Sequence, residues 1–166
     1  MAPITEQYKE LYTACFRGDE GLLEQQAPSP TLVNLKCANG WSPFLVACAR
    51  GHVGLVRRLV SNGADLTQKT SYGAAPLYLA CLNGHFCIAA MLLTAGASHA
   101  QRGPNECTPL YAACSNGHSA IVQLLLVHGA CPMLTCGGWT PLVIACARGF
   151  IPIVNTLLFY GADINQ

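Results

Sequence analysis

Cysteine is the residue type in this chain with the greatest capacity for chemistry, because ten cysteines occur among 166 residues. Five of them recur at intervals of 33, 33, 33 and 32 residues. They are Cys15, Cys48, Cys81, Cys114 and Cys146. A fixed period of this size is typical of stacked structural repeats that share one core. The spacing therefore favours repeated structural units over a reactive site as the reason for these cysteines.

The periodic cysteines are too far apart in such a stack to pair with one another. Equivalent atoms in adjacent helical repeats lie about 10 Å apart, whereas a disulfide needs Cα atoms within about 7 Å. We expect these residues to be small, buried and reduced, in an intracellular protein that is cytoplasmic or nuclear.

Two further groups of residues could bind metal. Three histidines share one repeat position, at His52, His85 and His118. The repeat spacing separates their rings, so we expect each ring to hydrogen-bond a nearby carbonyl in a turn. Three more cysteines form the other group, at Cys107, Cys131 and Cys136. They lack the spacing of a zinc site, and we predict no metal and no cofactor.

The elements that position these residues can be read from one unit. Ser42 and Pro43 suit the start of a helix, which Gly51 ends. A second helix follows, with apolar residues on one face, and Gly63 suits its left-handed end. Residues 66–75 are polar and predict a turn or hairpin.

Four units repeat this pattern in register. The matching segments are SPFLVACARGH, TPLYAACSNGH and TPLVIACARGF, with Gly-Ala-Asp ends at Gly63 and Gly161. On these segments the chain resembles the ankyrin repeat family over residues 5 to 166. The resemblance implies an all-α ankyrin-repeat solenoid of about five helix-turn-helix units, with β-hairpin fingers and a concave binding face. The approximate units are an N-terminal capping repeat at 5–37, then 38–70, 71–103, 104–135 and 136–166.

The chain departs from the family pattern at three places. The histidine that is usual after the Pro-Leu step is replaced in four units, by Leu45, Tyr78, Tyr111 and Val143. The hydrogen bonds that this histidine would make are therefore in doubt. Ala75 replaces a capping Ser or Thr, and one residue is missing between Ala130 and Trp139. We expect a shortened last finger.

The two ends of the array differ in polarity. The first unit carries Glu24 and Gln26 among its polar residues, as the outer face of a cap requires. The last unit keeps Ile153 and Leu157, adds Phe159 and has no polar replacement. From this apolar end we predict that the chain is the N-terminal part of a longer protein, or that it self-associates through the uncapped repeat. The alternative is that the last repeat serves as its own cap.

Composition argues against several classes of function. Charged residues make up 10% of the chain and the net charge is +1, which is too little basic charge for a nucleic-acid footprint. No apolar run is long enough for a membrane helix. No phosphate-binding loop or nucleophile elbow occurs, and five of the eight acidic residues fall in the first unit, so we predict no enzyme.

Residues that vary at otherwise constant repeat positions are the candidates for binding. One series runs through the fingers as Lys36, Lys69, Arg102 and Thr135, and another precedes the inner-helix glycine as Arg17, Arg50, Asn83, Asn116 and Arg148. The resemblance places both series on the concave side, where only Glu106 is acidic. Because the remaining charges on this side are basic, we predict an acidic protein or peptide partner. The alternative is that these are ordinary solvated charges.

Exposed aromatic residues on fingers complete the predicted site, because Trp, Tyr and Arg dominate binding hot spots. The predicted partner-binding residues are Trp41, Arg50, Lys69, Tyr72, Arg102, Trp139 and Arg148. For each tryptophan, the alternative is that the indole folds back on its own finger.

The leading hypothesis for function is a non-catalytic protein–protein interaction module or scaffold that binds a partner through its concave face and finger tips. The alternative is the substrate-recognition domain of a larger assembly, such as a ubiquitin ligase receptor. This alternative rests on Leu77-Tyr78 and Leu110-Tyr111, where the chain resembles ankyrin repeat and SOCS box proteins.

Overall fold

The computed structural model describes residues 6–21 and 28–165, which are helical wherever they are regular. The α-helices are α1 (Glu6–Arg17), α2 (Pro30–Asn34), α3 (Pro43–Arg50), α4 (Val53–Ser61), α5 (Pro76–Leu82), α6 (Phe86–Thr94), α7 (Pro109–Ser115), α8 (Ser119–Val127), α9 (Pro141–Ala147) and α10 (Ile151–Phe159). A 3-10 helix covers Pro104–Glu106. None of these described helices is both long and apolar enough to span a bilayer.

The helices form two layers. Links of two or three residues join α3 to α4, α5 to α6, α7 to α8 and α9 to α10, so each second helix must fold back on the first. The first helices stack in the order α1, α3, α5, α7, α9, and the second helices stack as α4, α6, α8, α10. The all-helical repeat architecture is therefore confirmed. The predicted polar cap residues Glu24 and Gln26 fall in residues 22–27, which lie outside the described residues, so the count of five units stays a prediction.

Side-chain caps begin three of the four first-layer helices that follow α1. The hydroxyl of Ser42 accepts a hydrogen bond from the backbone N–H of Leu45, and Thr108 and Thr140 cap α7 and α9 in the same way. Ala75 precedes α5 and makes no side-chain cap. Because an N-cap hydroxyl contributes about 1 kcal/mol, α5 begins with weaker local support than its neighbours.

Each helix pair contacts the preceding pair through a ring that lies against a glycine. Gly51 ends α3 with φ 85°, and a Cβ built there would lie 2.7 Å from the imidazole of His85. The Nε2 atom of His85 donates a hydrogen bond to the carbonyl oxygen of Ala49, at 2.9 Å. The predicted ring-to-carbonyl bond is thus confirmed for His85, and it joins two repeats rather than closing one turn.

The same contact recurs at the next two junctions with one change of ring. His118 lies against Gly84 and bonds the carbonyl of Leu82 at 3.2 Å. In the last pair the ring of Phe150 takes this place against Gly117. His52 also lies against a glycine, but its buried Nε2 has no hydrogen-bond partner among the described residues.

The periodic cysteines mark the core, with one exception. Four of them are buried in a single apolar cluster that runs through the stack, at Cys15, Cys48, Cys81 and Cys114. Burial raises the pKa of Cys15 to about 12 and raises the pKa of Cys114 further still. Cys146 is exposed, so its predicted burial was wrong. In the part of the chain that the structure describes, no helix pair packs beyond α9 and α10 to cover it.

A second apolar cluster lies between the first-layer helices and the fingers. Leu45 and Tyr78 are buried in it, and Tyr111 packs against its edge. These residues stand where the family pattern has histidine. Apolar packing therefore stabilises this level of the stack.

The fingers are tight turns rather than hairpins. Each is closed at its base by a backbone hydrogen bond, which defines finger 1 (37–41), finger 2 (70–74), finger 3 (103–107) and finger 4 (136–139). No β-strand occurs in residues 6–21 or 28–165, where the sole pairing is an isolated bridge between Cys136 and Trp139, so the predicted β-hairpins are not confirmed. Finger 4 contains four residues instead of five, and the missing residue in the repeat pattern falls in this segment.

The ring-to-glycine contact makes a testable prediction about stability. We expect Gly84→Ala to lower the free energy of unfolding by more than about 2 kcal/mol, because the left-handed backbone costs 1–2 kcal/mol and the new methyl group must displace His118. Gly149→Ala is the matched control. Gly149 has the same repeat position and φ 70°, yet a Cβ there would meet nothing within 4 Å, so its loss should be about 1 kcal/mol. Urea unfolding followed by circular dichroism measures both variants, and equal losses would contradict the proposed contact.

Candidate protein-binding surface

Four exposed or half-buried residues on α1, α3 and two fingers form an aromatic–arginine patch, which consists of Phe16, Trp41, Arg50 and Tyr72. Phe16 lies near the end of α1, with 47% of its surface exposed. The guanidinium carbon of Arg50, at the end of α3, lies 3.8 Å from the centre of the Phe16 ring. This distance is typical of a cation–π contact, which holds the arginine over the ring and leaves its N–H groups available.

Trp41 and Tyr72 supply the finger side of the patch. Their ring centres are 6.0 Å apart and the rings are inclined by 59°. Trp41 is half-buried and packs against both apolar clusters, so the alternative of an indole folded back on the protein applies to it in part. Tyr72 is 49% exposed. The patch therefore combines one anchored ring with two accessible rings.

A cavity of about 240 Å³ opens between α1, α3 and finger 1. Its lining residues are Tyr12, Phe16, Asn39, Trp41, Val46, Ala49 and Arg50. Burial raises the pKa of Tyr12, and Cys37 adds to this rise while Arg50 opposes it, so the phenol stays protonated at neutral pH. The cavity thus offers aromatic surface, a hydroxyl group and one positive charge. Such a lining suits a side chain or chain segment that carries a carboxylate beside apolar atoms.

The predicted finger series of basic residues connects one finger to the next. Lys36 donates from Nζ to the carbonyl oxygen of Lys69, and Lys69 donates to that of Arg102, each at 2.9 Å. Arg102 turns back to its own finger, where it bonds the carbonyl of Glu106 at 2.9 Å. These side chains are partly committed to the fold. A binding role for Lys69 and Arg102 stays a prediction.

The second predicted series divides by residue type. Asn83 and Asn116 use their side-chain amides to bond carbonyls of their own helices, at Leu79 and Ala112. Arg50 instead lies over Phe16, and Arg148 is exposed after α9. The asparagines therefore close helix ends, and the arginines are the members that face outward.

Trp41 and Trp139 share a repeat position but have different surroundings. Trp139 lies on finger 4, with 47% of its surface exposed, and no described contact joins it or Arg148 to the patch. Of the predicted site residues, the structure brings together Trp41, Arg50 and Tyr72. Trp139 and Arg148 belong to the last finger and the last helix pair.

Phe16 and Tyr12 are the site residues that sequence reasoning missed. The polar composition of the first unit indicates a cap, which by itself predicts no binding residue on α1. The available signal was Phe16 itself, because the equivalent residue before the pre-glycine position is Ala49 in the next unit and Ala147 in the last. Phe16 is the one aromatic residue at this position, where the other units carry Ala49, Leu82, Ser115 and Ala147. No group of three or more potential metal ligands occurs among the residues with described positions.

The contrast between the two tryptophans predicts different effects of the same substitution. We expect Trp41→Ala to lower the free energy of unfolding by about 2 kcal/mol, because it removes a half-buried indole from two core clusters. Trp139→Ala should change it by less than about 0.5 kcal/mol, because the indole is nearly half exposed and belongs to neither of the two described core clusters. Thermal or urea unfolding distinguishes them, and an equal loss in both would show that the finger position alone sets the effect.

Comparison with protein families agrees with this geometry. A family model of ankyrin repeats in three copies matches residues 11–102 and, in a second match, residues 96–166. A search of curated proteins found no match. The two family matches overlap and together run from α1 through α10. The chain therefore belongs to the ankyrin repeat family.

Proposed function

We propose that this chain binds a partner protein through its concave face and finger tips, with the aromatic–arginine patch as the principal contact. Ankyrin repeats are generally protein–protein interaction modules, and the family is typically non-catalytic. The observation that carries the proposal is the placement of Arg50 over Phe16 beside Trp41. Arg, Trp and Tyr are the residues most enriched at binding hot spots, and the end of α3 and fingers 1 and 2 present them here.

The partner segment that fits this site is acidic with an adjoining apolar side chain. None of the described residues that line the cavity is acidic, and Arg50 contributes a positive charge to it. A carboxylate could bond the outward N–H groups of Arg50 while an aromatic or aliphatic group packs on Phe16. The charge would also steer association, so added salt should weaken binding.

Peptide selection tests both the site and the partner chemistry. A displayed random-peptide library, selected on the immobilised chain, should yield sequences with Asp or Glu beside an apolar residue. We expect Arg50→Ala to raise the Kd of one such synthetic peptide about tenfold, measured by isothermal titration calorimetry.

Arg57→Ala is the matched control for this measurement. Arg57 is exposed on α4, in the second helix layer, and its removal changes the net charge by the same amount. Its Kd should stay near that of the unmodified chain. Enrichment of non-acidic peptides, or equal losses in the two variants, would contradict the proposal.

Self-association is a second candidate, favoured by the exposure of one apolar surface. We call Ile144, Cys146, Val154 and Leu158 the end surface. Leu158 is 40% exposed, whereas the equivalent Leu126 is 5% exposed because α9 and α10 pack over it. Neither α9 nor α10 contains a charged residue. A second copy of the chain could therefore cover this surface without opposing like charges.

Light scattering tests this association directly. We expect the mean mass to rise from monomer towards dimer with increasing concentration, and Leu158→Asp to keep the chain monomeric. Val127→Asp places the same charge on another exposed apolar residue, outside the end surface, and should behave as the unmodified chain does. A monomer at every concentration would contradict self-association.

A further inference from the structure

The bases of fingers 3 and 4 bring two cysteines from neighbouring repeats together. Cys107 is the last residue of finger 3 and Cys136 is the first of finger 4. They are 29 residues apart in sequence, their Cα atoms are 4.6 Å apart, and their sulfur atoms are bonded as a disulfide. This Cα separation lies within the range that disulfides span without movement of the backbone.

This junction differs from the equivalent ones elsewhere in the stack. Between fingers 1 and 2 the same two positions are Trp41 and Thr70, and between fingers 2 and 3 they are Ala74 and Gly103. Among the described finger junctions, only the last therefore has two thiols. Cys37 begins finger 1 as Cys136 begins finger 4, but it is a free cysteine.

The remaining eight cysteines are all free in this structure, so none of them is bonded to Cys107 or Cys136. Four are buried, and desolvation raises their pKa, which leaves little of the reactive thiolate. Three others are exposed as free cysteines, at Cys87, Cys131 and Cys146. Proximity therefore selects Cys107 and Cys136 from a chain that is rich in thiols.

We propose that Cys107 and Cys136 form a reversible thiol–disulfide site, oxidised by a low-molecular-weight disulfide such as glutathione disulfide and reduced by glutathione. Cys136 is the more exposed of the two and reacts first. Its thiolate attacks one sulfur of glutathione disulfide and releases glutathione thiolate, which takes a proton from water. The deprotonated Cys107 then attacks Cys136 Sγ and releases the second glutathione. Overall, two protein thiols are oxidised to one disulfide while one glutathione disulfide is reduced to two glutathione molecules.

The bond acts on the segment that presents Trp139. Cys136 and Trp139 exchange two backbone hydrogen bonds, at 2.9 and 3.1 Å. A covalent link from Cys136 to Cys107 therefore fixes one side of finger 4 to finger 3, and Cys107 in turn immediately precedes the cap of α7. Oxidation restrains finger 4, whereas reduction leaves its own turn and the packing of Cys136 against the second apolar cluster.

Mass mapping of the unmodified chain tests the site without any substitution. The chain is equilibrated with glutathione disulfide, free thiols are blocked with an alkylating reagent, and a non-reducing digest is analysed. We expect one cross-linked peptide pair joining Cys107 to Cys136, which disappears after treatment with excess glutathione. Full alkylation of both residues, or a dominant cross-link through Cys131 or another cysteine, would overturn the proposal. So would a Cys107–Cys136 bond that excess glutathione leaves intact.

Thermal unfolding gives an independent readout with a matched control. The oxidised chain should melt roughly 5 to 10 °C above the reduced chain, because the bond closes a long loop in the unfolded state. Cys136→Ser should abolish this difference, and Cys37→Ser, which alters the equivalent position in finger 1, should keep it. A difference that persists in Cys136→Ser, or that is lost in Cys37→Ser, would overturn the assignment.

Discussion

The stack depends on contacts in which a ring from one repeat lies against a left-handed glycine of the repeat before it. At Gly51 and Gly84 the absence of a Cβ gives the imidazole room to approach the backbone and bond a carbonyl there. A repeat cannot bury its apolar face alone, so this contact sets the spacing at which neighbouring helix pairs share a core. The ring of Phe150 lies against Gly117 in the same way, but a phenyl ring cannot donate the hydrogen bond that an imidazole makes.

Much of the fold follows from local signals that the sequence contains. Ser42-Pro43 and Gly51 define a helix through capping chemistry and backbone conformation, which act over a few residues. The stacking of Phe16 under Arg50 joins residues 34 positions apart, and the bond from Lys69 to Arg102 spans 33. Such contacts depend on the register between repeats. The sequence therefore shows which residues share a repeat position, but it does not show which residues contact one another.

Residues at equivalent repeat positions also differ in how far they are buried. Cys146 and Cys114 occupy one repeat position, and only the second has a helix pair packed over it. The second apolar cluster accounts for part of the chain's high apolar content, because Leu45 and Tyr78 are buried in it. Periodicity identifies the position in the repeat, whereas the neighbours on either side decide its environment.

Ala75 has a consequence for how the molecule opens. The stability of a solenoid is the sum of contributions from individual repeats and from the interfaces between them, so breathing motions begin where one of these is weak. The helix that follows Ala75 lacks the hydroxyl cap of its neighbours and lies in the middle of the stack. Hydrogen exchange should therefore be faster in the first turn of α5 than in the capped first turns of α3, α7 and α9. The chain would then separate into two cooperative halves, one that carries Arg50 and one that carries Trp139.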